Sequence, residues 1–229
     1  MSFNNEFKFA IPLWGGNELW VTETTIGTWI IGILLILLAV AVRLCLKNFK
    51  DIPKGFQNII ELGVETFDNF CISTMTARYA YFGRWFFGVF CFILFANLSG
   101  LIGFRPPTAD LSTTAAFAIV SFFMIHIGGM VSQKGAYFKE YLRPIPVFLP
   151  MNIISEAATP VSLSFRLFGN ILGGLIIMDL IYGMFPWFLK FGIPAALHVY
   201  FDIFAGCLQA FIFCILSMTF ISGKLGIED

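Results

Sequence analysis

The chain has 229 residues, of which 58% are hydrophobic and only 12% are charged, and its formal net charge is zero. Soluble domains carry about 25% charged residues, so this composition excludes an ordinary soluble protein and predicts an integral membrane protein. The neutral balance and the lack of a basic tract do not suggest nucleic-acid binding. The five cysteines show no CxxC spacing, which favours buried small side chains over a metal site or a disulfide framework.

The first apolar run, residues 26–46, is long enough to span a bilayer. Residues 1–25 before it are polar and aromatic, and we predict an external segment with Trp14 and Trp20 near the membrane interface. No cleavable signal peptide is predicted, because the run does not directly follow a basic start. Basic residues follow the run from Arg43 onwards, so the positive-inside rule predicts that this end is cytoplasmic.

Residues 53–75 place apolar and acidic residues on opposite faces at helical spacing. This pattern predicts an amphipathic helix in or near the cytoplasmic interface. The polar face of this helix either lies at the membrane surface or binds a partner protein. The apolar stripe consists of Ile59, Ile60, Val64, Phe67, Phe70 and Cys71, and the polar face consists of Glu61, Glu65, Asp68 and Asn69.

Two further spans are predicted over residues 85–104 and 112–131. The loop between them, residues 105–110, contains two prolines that lack N–H donors, so we expect a break in the helix there, outside the membrane. His126 in the third span is interpreted as a packing or hydrogen-bonding residue rather than as a ligand.

The last two apolar runs, residues 150–185 and 192–222, are longer than a bilayer core requires. We therefore predict two long helices that are strongly tilted, bent or partly outside the core. The predicted fold is all-α, with five transmembrane helices and one interfacial helix. The basic residues on the side predicted to be cytoplasmic are Arg43, Lys47, Lys50, Lys54, Arg78, Arg84, Lys134, Lys139, Arg143 and Lys224, whereas only Lys8, Arg105 and Lys190 fall outside. This asymmetry predicts an external N-terminus and a cytoplasmic C-terminus.

A polar stripe interrupts the first of the two long runs. Ser162, Arg166 and Asn170 follow each other at intervals of four residues and therefore share one helix face, which Gly169 flanks. A charged side chain at the bilayer centre costs about 2.5–3.5 kcal/mol on insertion scales, so such residues face a bundle interior or an aqueous path. This narrow face favours close approach by another helix that carries an anion.

A second polar stripe lies on the last long run. His198, Asp202 and Gln209 occupy positions i, i+4 and i+11, and Asp202 lies about 15 Å from the outer end of the helix. The histidine alone is a weak signal, because a packing histidine is the commoner case. Its place on the Asp202 stripe makes it a candidate for ion relay.

Carboxylates lie on both sides of the central arginine. Glu156 precedes Arg166 by ten residues, on the cytoplasmic side, whereas Asp179 and Asp202 lie on the outer side. Carboxylates can take up and release a cation, and an arginine stays charged. The pattern predicts two aqueous half-channels separated by a fixed cation. The alternative is a static buried ion pair between Arg166 and either Asp179 or Asp202.

These motifs resemble those of a known family. Residues 160–170 (PVSLSFRLFGN) and 208–213 (LQAFIF), with 97–102 (NLSGLI) and 107–110 (PTAD), are similar to subunit a of the F-type ATP synthase, the membrane stator. The likeness extends over most of residues 85–222. It implies that Arg166 is the stator arginine that faces a carboxylate of the rotor ring.

The resemblance also implies roles for other residues. Asn170 and Gln209 match polar positions beside the arginine, and Asp202 occupies a position where relatives carry a histidine or glutamate of the outer half-channel. Glu156 resembles an acidic residue of the inner half-channel. Relatives often have an acid or a histidine five residues after the asparagine, where this chain has Leu175, and Asp179 could take over that role.

The implied function is conduction of H⁺ or Na⁺ coupled to rotation, with no catalytic site, cofactor or metal on this chain. The implied partners are the rotor ring, the peripheral-stalk subunit b and the bilayer of a bacterial-type cell membrane. Two alternatives remain. One is a self-contained channel or secondary transporter, which the lack of an internal repeat disfavours, and the other is a structural membrane scaffold.

Overall fold

The computed structural model describes residues 7–12, 18–45, 55–75, 79, 81–142, 145–184 and 192–225. A β-hairpin precedes a series of helices. The elements in chain order are β1 Phe7–Pro12, β2 Glu18–Thr22, α1 Glu23–Cys45, α2 Phe56–Met75, α3 Tyr81–Leu98, α4 Leu111–Gln133, α5 Gly135–Tyr141, α6 Leu149–Met184, α7 Ile193–His198 and α8 Gly206–Lys224. A π-helical turn, Val199–Ala205, joins α7 to α8.

Within the described ranges, five helical segments are long and apolar enough to cross a membrane. They are Glu23–Leu44, Tyr81–Ile102, Leu111–Gln133, Pro146–Met184 and Pro194–Lys224. The predicted all-α membrane fold with five spans is thus confirmed, and the amphipathic helix α2 lies between the first and second spans. Several residues used in the topology prediction lie outside the described residues: Trp14, Lys47, Lys50, Lys54, Arg78, Arg143 and Lys190.

Two elements were not predicted. Strands β1 and β2 pair antiparallel, with Ile11 opposite Leu19 and an irregularity in register between Phe7 and Phe9. This hairpin lies within the stretch that the sequence analysis treated only as a polar and aromatic segment. The short helix α5, Gly135–Tyr141, follows α4 directly after Lys134, whose φ of 52° reverses the chain.

Helix α8 forms the centre of the bundle and packs against α2, α3, α4 and α6. Its side chains Phe213 and Met218 are buried together with Phe86 of α3 and Leu167 of α6. Helix α1 packs mainly on α3, and only 6% of the residues in its most apolar stretch are buried. Its exposed apolar residues fit a lipid-facing helix, because lipid solvates such side chains.

Helix α6 contains 36 residues, so it is about 54 Å long and exceeds the ~30 Å hydrocarbon core. Pro160 lies inside it and lacks an N–H group, so the carbonyl of Glu156 loses its usual intrahelical donor. The length of α6 and the hydrogen bond that is missing at Pro160 support the expectation of a tilted or bent helix.

A buried polar contact joins α3 to the start of α8. Asn97 is 1% exposed, and its Nδ2 donates to the carbonyl oxygen of Gly206 at 2.9 Å. The Oδ1 of Asn97 accepts a hydrogen bond from Thr108 Oγ1 at 2.7 Å. A Cβ at Gly206 would lie 3.0 Å from the Cβ of Asn97, so the glycine permits this close approach of the two helices.

We predict that Gly206→Val lowers the free energy of unfolding by about 1–3 kcal/mol, because the added methyl groups would overpack the contact with Asn97. Thermal unfolding in detergent measures the change. Gly88→Val is the matched control, since a Cβ at Gly88 meets nothing within 4 Å. Equal stability of the two variants would contradict the packing role of Gly206.

Candidate functional site

The predicted polar stripe of α6 lies on the surface of this chain. Ser162, Arg166 and Asn170 are exposed, whereas Leu163 and Leu167 on the other face are 2% and 0% exposed. The apolar face holds α6 in the bundle, so the polar face points out of the chain. A charge exposed at membrane depth needs a partner, and this position leaves room for one from outside the chain.

Within the described part of the chain, Arg166 makes no ion pair with Asp179 or Asp202. Asp202 instead pairs with His198. The alternative interpretation of Arg166 as a buried structural cation therefore has no support in the geometry.

One turn beyond the arginine, a hydrogen bond joins the two long helices. Asn170 Nδ2 donates to Gln209 Oε1 at 2.5 Å. Gln209 is 1% exposed, and its Nε2 has no partner among the described residues. A buried donor without an acceptor is costly, so this amide can favourably donate to a group or water that enters the site.

The second polar stripe is not carried by a regular α-helix. Residues Val199–Ala205 form a π-helical turn within the long helix that was predicted over residues 192–222. Such turns are rare and occur often at functional sites. The ring of Phe201 packs on Gly174 of α6, where a Cβ would lie only 3.3 Å away. The absence of a side chain at Gly174 thus allows the phenyl ring from the turn to pack directly on α6.

An outer cleft lies between α6 and the π-helical turn. His198 Nδ1 and Asp202 Oδ2 are 2.5 Å apart, and the hydroxyl of Tyr182 lies 3.2 Å from His198 Nε2. The cavity has a volume of about 360 Å³. Its lining residues include Gly100, Arg105, Leu175, Asp179, Tyr182, His198 and Asp202.

This cleft brings together side chains from α6 and from the π-helical turn. Asp179 and Leu175, one helical turn apart on α6, line the same cavity as Asp202. Tyr182 and Arg105 were not predicted to take part. Tyr182 follows Asp179 by three residues, and this spacing could have indicated it. No local signal in the sequence marks Arg105, because its position depends on the fold of the loop between α3 and α4.

An inner cleft lies at the other end of α6. Glu156 Oε1 is 2.6 Å from Lys224 Nζ, and both side chains are about four-fifths buried, with exposures of 21% and 18%. The adjoining cavity, between α4, α5 and α6, has a volume of about 570 Å³ and is lined in part by His126, Tyr137 and Glu156. The pair with Lys224 was not predicted.

The wall of the inner cleft contains a chain of hydrogen-bonded rings. Tyr137 bonds through its hydroxyl to His126 Nδ1 and, at 2.7 Å, to the hydroxyl of Tyr141. Burial, reinforced by the hydrogen bond with Tyr141, raises the pKa of the Tyr137 phenol, which therefore stays protonated at neutral pH. The interpretation of His126 as a hydrogen-bonding residue is confirmed.

The two clefts lie on opposite sides of Arg166 along α6, one containing Glu156 and the other Asp179. By helix rise they are about 15 Å and about 20 Å from the arginine. In the described residues, no group of three or more His, Cys, Asp or Glu side chains could hold a metal ion. The arrangement is thus two separate carboxylate-bearing cavities with a permanent cation between them.

The sequence profile of the family described as ATP synthase A chain matches residues 25–222. The chain belongs to this family. ATP synthase subunit a of Moorella thermoacetica is 34% identical over 205 residues, which cover 88% of this chain and 90% of the relative. ATP synthase subunit a 1 of Syntrophotalea carbinolica is 37% identical, covering 84% and 82%. The sodium ion specific ATP synthase subunit a of Propionigenium modestum is 31% identical, covering 97% and 81%.

Family membership confirms the resemblance that the motifs indicated. Subunit a is a non-catalytic, ion-translocating membrane component of the F0 sector of F-type ATP synthases. The five spanning helices agree with a multi-pass membrane protein. Family membership by itself assigns no role to an individual residue or to either cleft.

We predict that cysteines placed in the two clefts are labelled from opposite sides of the membrane. In a background without the native cysteines, Leu175→Cys and Ala157→Cys should react with a membrane-impermeant maleimide in vesicles of opposite orientation, because each lines a different cavity. Leu167→Cys is the control that should stay unlabelled, since its position is fully buried. Labelling of both cleft positions from the same side would contradict two separate clefts.

Proposed function

We propose that this chain is the stator subunit that conducts ions past the rotor of an F-type ATP synthase, through two offset aqueous half-channels that Arg166 separates. The observation that carries the proposal is the outward exposure of Arg166 between two carboxylate-bearing cavities. A channel complete within this chain would need its central charge to face inward. An exposed cation instead fits a partner that supplies the missing anion.

The proposed partner is a ring of rotor subunits, each with a carboxylate that faces lipid. Ser162 and Gly169 keep the exposed face of α6 narrow, so a rotor helix can approach closely. Arg166 stays charged at any physiological pH and therefore attracts each ionised rotor carboxylate that passes. This attraction makes the rotor site release its cation before it passes the arginine, and the fixed charge blocks a direct leak between the clefts.

The outer half-channel is formed by the cleft that contains Asp179, His198 and Asp202. A cation that enters there meets the carboxylate of Asp179 and the hydrogen-bonded pair of His198 and Asp202. It then neutralises a rotor carboxylate, which can move into lipid because it is no longer charged. We propose that Asp179 supplies the acid that relatives carry at the position of Leu175, since both side chains line this cavity.

The inner half-channel is formed by the cleft that contains Glu156. After nearly a full turn the loaded rotor site reaches Arg166 from the other side and releases its cation towards this carboxylate. Asn170 and Gln209, which join α6 to α8 at the level of the arginine, keep the two helices in register there. Each charge that crosses contributes about 2.3 kcal/mol per 100 mV of membrane potential.

The proposed setting is a bacterial-type cell membrane, with the N-terminus outside, the C-terminus in the cytoplasm and peripheral-stalk subunit b as a further partner. The excess of basic residues on the predicted cytoplasmic side supports this orientation. The transported cation is H⁺ or Na⁺. The relative from Propionigenium modestum is named as sodium ion specific.

We predict that Arg166→Ala abolishes ATP-driven cation uptake into inverted vesicles while the complex still assembles, because the barrier and the attraction for the rotor site are both lost. Pull-down of the complex checks assembly. Phe165→Ala, at an exposed neighbouring position, is the control and should pump normally. Normal pumping by the arginine variant would reject the proposed function.

We also predict that Asp179→Leu slows translocation strongly, because it removes a carboxylate from the outer cleft. Asp179→Glu keeps the carboxylate and should retain most of the rate. The measurement is cation-driven ATP synthesis in vesicles with matched amounts of complex. Wild-type rates in the leucine variant would remove Asp179 from the path and leave Asp202 as the outer carboxylate.

A further inference from the structure

The ammonium group of Lys224 occupies a defined position at the inner cleft. It lies 2.6 Å from Glu156 Oε1 and 5.1 Å from the centroid of the Tyr141 ring. An ammonium over an aromatic face is attracted by the ring, so the two contacts act on the same group from two elements. Lysine is the last residue of α8, yet its side chain reaches back to α6.

The backbone that carries this lysine is fixed by α4. Gln133 Nε2 donates to the carbonyl oxygen of Lys224 at 3.1 Å, and Ser132 Oγ donates to that of Leu225 at 2.7 Å. A Cβ at Gly129 would lie 3.0 Å from the carbonyl oxygen of Lys224, so a glycine permits this contact. The ammonium is therefore delivered to Glu156 from a rigid support, unlike the charge of a free surface side chain.

We propose that Lys224 is a tethered cation that competes with the transported cation for Glu156. This inference rests on the proposed function, in which Glu156 lines the cytoplasmic half-channel. The carboxylate already has one positive partner, so an arriving H⁺ or Na⁺ must displace the ammonium to bind. The lysine thereby weakens cation binding at the inner cleft without closing the cleft.

Weak binding at this position has a direct use. Conduction requires a site that binds a cation well enough to admit it and weakly enough to let it leave. A glutamate alone in a largely apolar cavity would hold its cation tightly, because few other groups there solvate the charge. A tethered ammonium that returns as the cation departs keeps the carboxylate neutralised and favours release to the cytoplasm.

Among the described residues, the other titratable groups that line the cavity beside the pair come from α4 and α5. They are His126, Tyr137 and Tyr141, which are hydrogen-bonded to one another. The Tyr137 phenol stays protonated, as described above. Within the described residues, Lys224 is thus the permanent positive charge that faces Glu156. A variant without this charge measures its effect on cation binding at Glu156.

The test uses the whole complex in inverted vesicles, where the cytoplasmic face meets the bath. ATP-driven pumping is measured against bath Na⁺ at constant pH and, separately, against bath pH without Na⁺. For the cation that is pumped, Lys224→Met should lower the half-saturating concentration by at least about two- to fivefold, because that range applies to exposed ion pairs and this pair is largely buried. For protons this is a shift of at least about 0.3–0.7 pH unit to higher pH.

The control for loss of a cytoplasmic charge is Lys139→Met, on the exposed face of α5, which should leave the half-saturating concentration unchanged. Lys224→Arg keeps a permanent cation and should give a half-saturating concentration no lower than the wild type. This variant also tests the proposal if the methionine variant fails to assemble, because a lower value for Lys224→Arg would overturn it.

Side-specificity separates competition from a structural role. In the synthesis direction the cation enters by the outer cleft, so its half-saturating concentration on that side should not change in Lys224→Met. An unchanged value on the bath side, or equal shifts on both sides, would overturn the inference. Glu156→Gln tests the underlying assignment, because normal pumping by that variant would reject Glu156 as a channel residue. Loss of pumping there, with no shift in Lys224→Met, would reject the role of the lysine alone.

Discussion

The structure depends on a single electrostatic constraint, a permanent cation at membrane depth that faces away from its own bundle. The face of α6 that carries Arg166 is polar and exposed, while the face behind it, with Leu163 and Leu167, is buried in the bundle. An unpaired charge in hydrocarbon is costly. In the proposed function, a carboxylate of the rotor ring supplies the anion that this exposed cation requires.

Polar contacts between helices join the apolar packing in holding the bundle together. Lipid solvates apolar side chains as well as protein does, so hydrophobic burial gives little direction to helix association in a membrane. Hydrogen bonds supply that direction. Asn97 with Gly206 joins α3 to α8, Thr114 with Ser164 joins α4 to α6, and Asn170 with Gln209 joins α6 to α8.

The sequence predicted the features that repeat along one helix. The five spans follow from apolar runs of sufficient length, and the shared face of Ser162, Arg166 and Asn170 follows from residue spacing. The exposure of that face comes from the packing of Leu163 and Leu167 into the bundle. The β-hairpin, the π-helical turn and the pair of Glu156 with Lys224 were not predicted. The ion pair joins residues far apart in the chain, so no local pattern indicates it. The hairpin and the turn are local, but both depart from the α-helical periodicity on which the prediction was based. Asp179 shows the difference clearly: helical geometry turns it away from Arg166, and only the packing of the π-helical turn on α6 places it in a cavity with Asp202.

The π-helical turn before α8 also determines the directions in which the side chains of α8 point around the helix axis. A turn with i→i+5 bonding accommodates about one residue more than an α-helical turn, equivalent to about 100° of helix rotation. His198 lies before this turn and Gln209 lies after it. The extra residue therefore sets the angle, about the helix axis, between the side chain that lines the outer cleft and the side chain that contacts Asn170. Gain or loss of a single residue in this turn would thus rotate the outer cleft relative to the contact between Asn170 and Gln209. The buried residues of α8 that follow the turn would keep their packing.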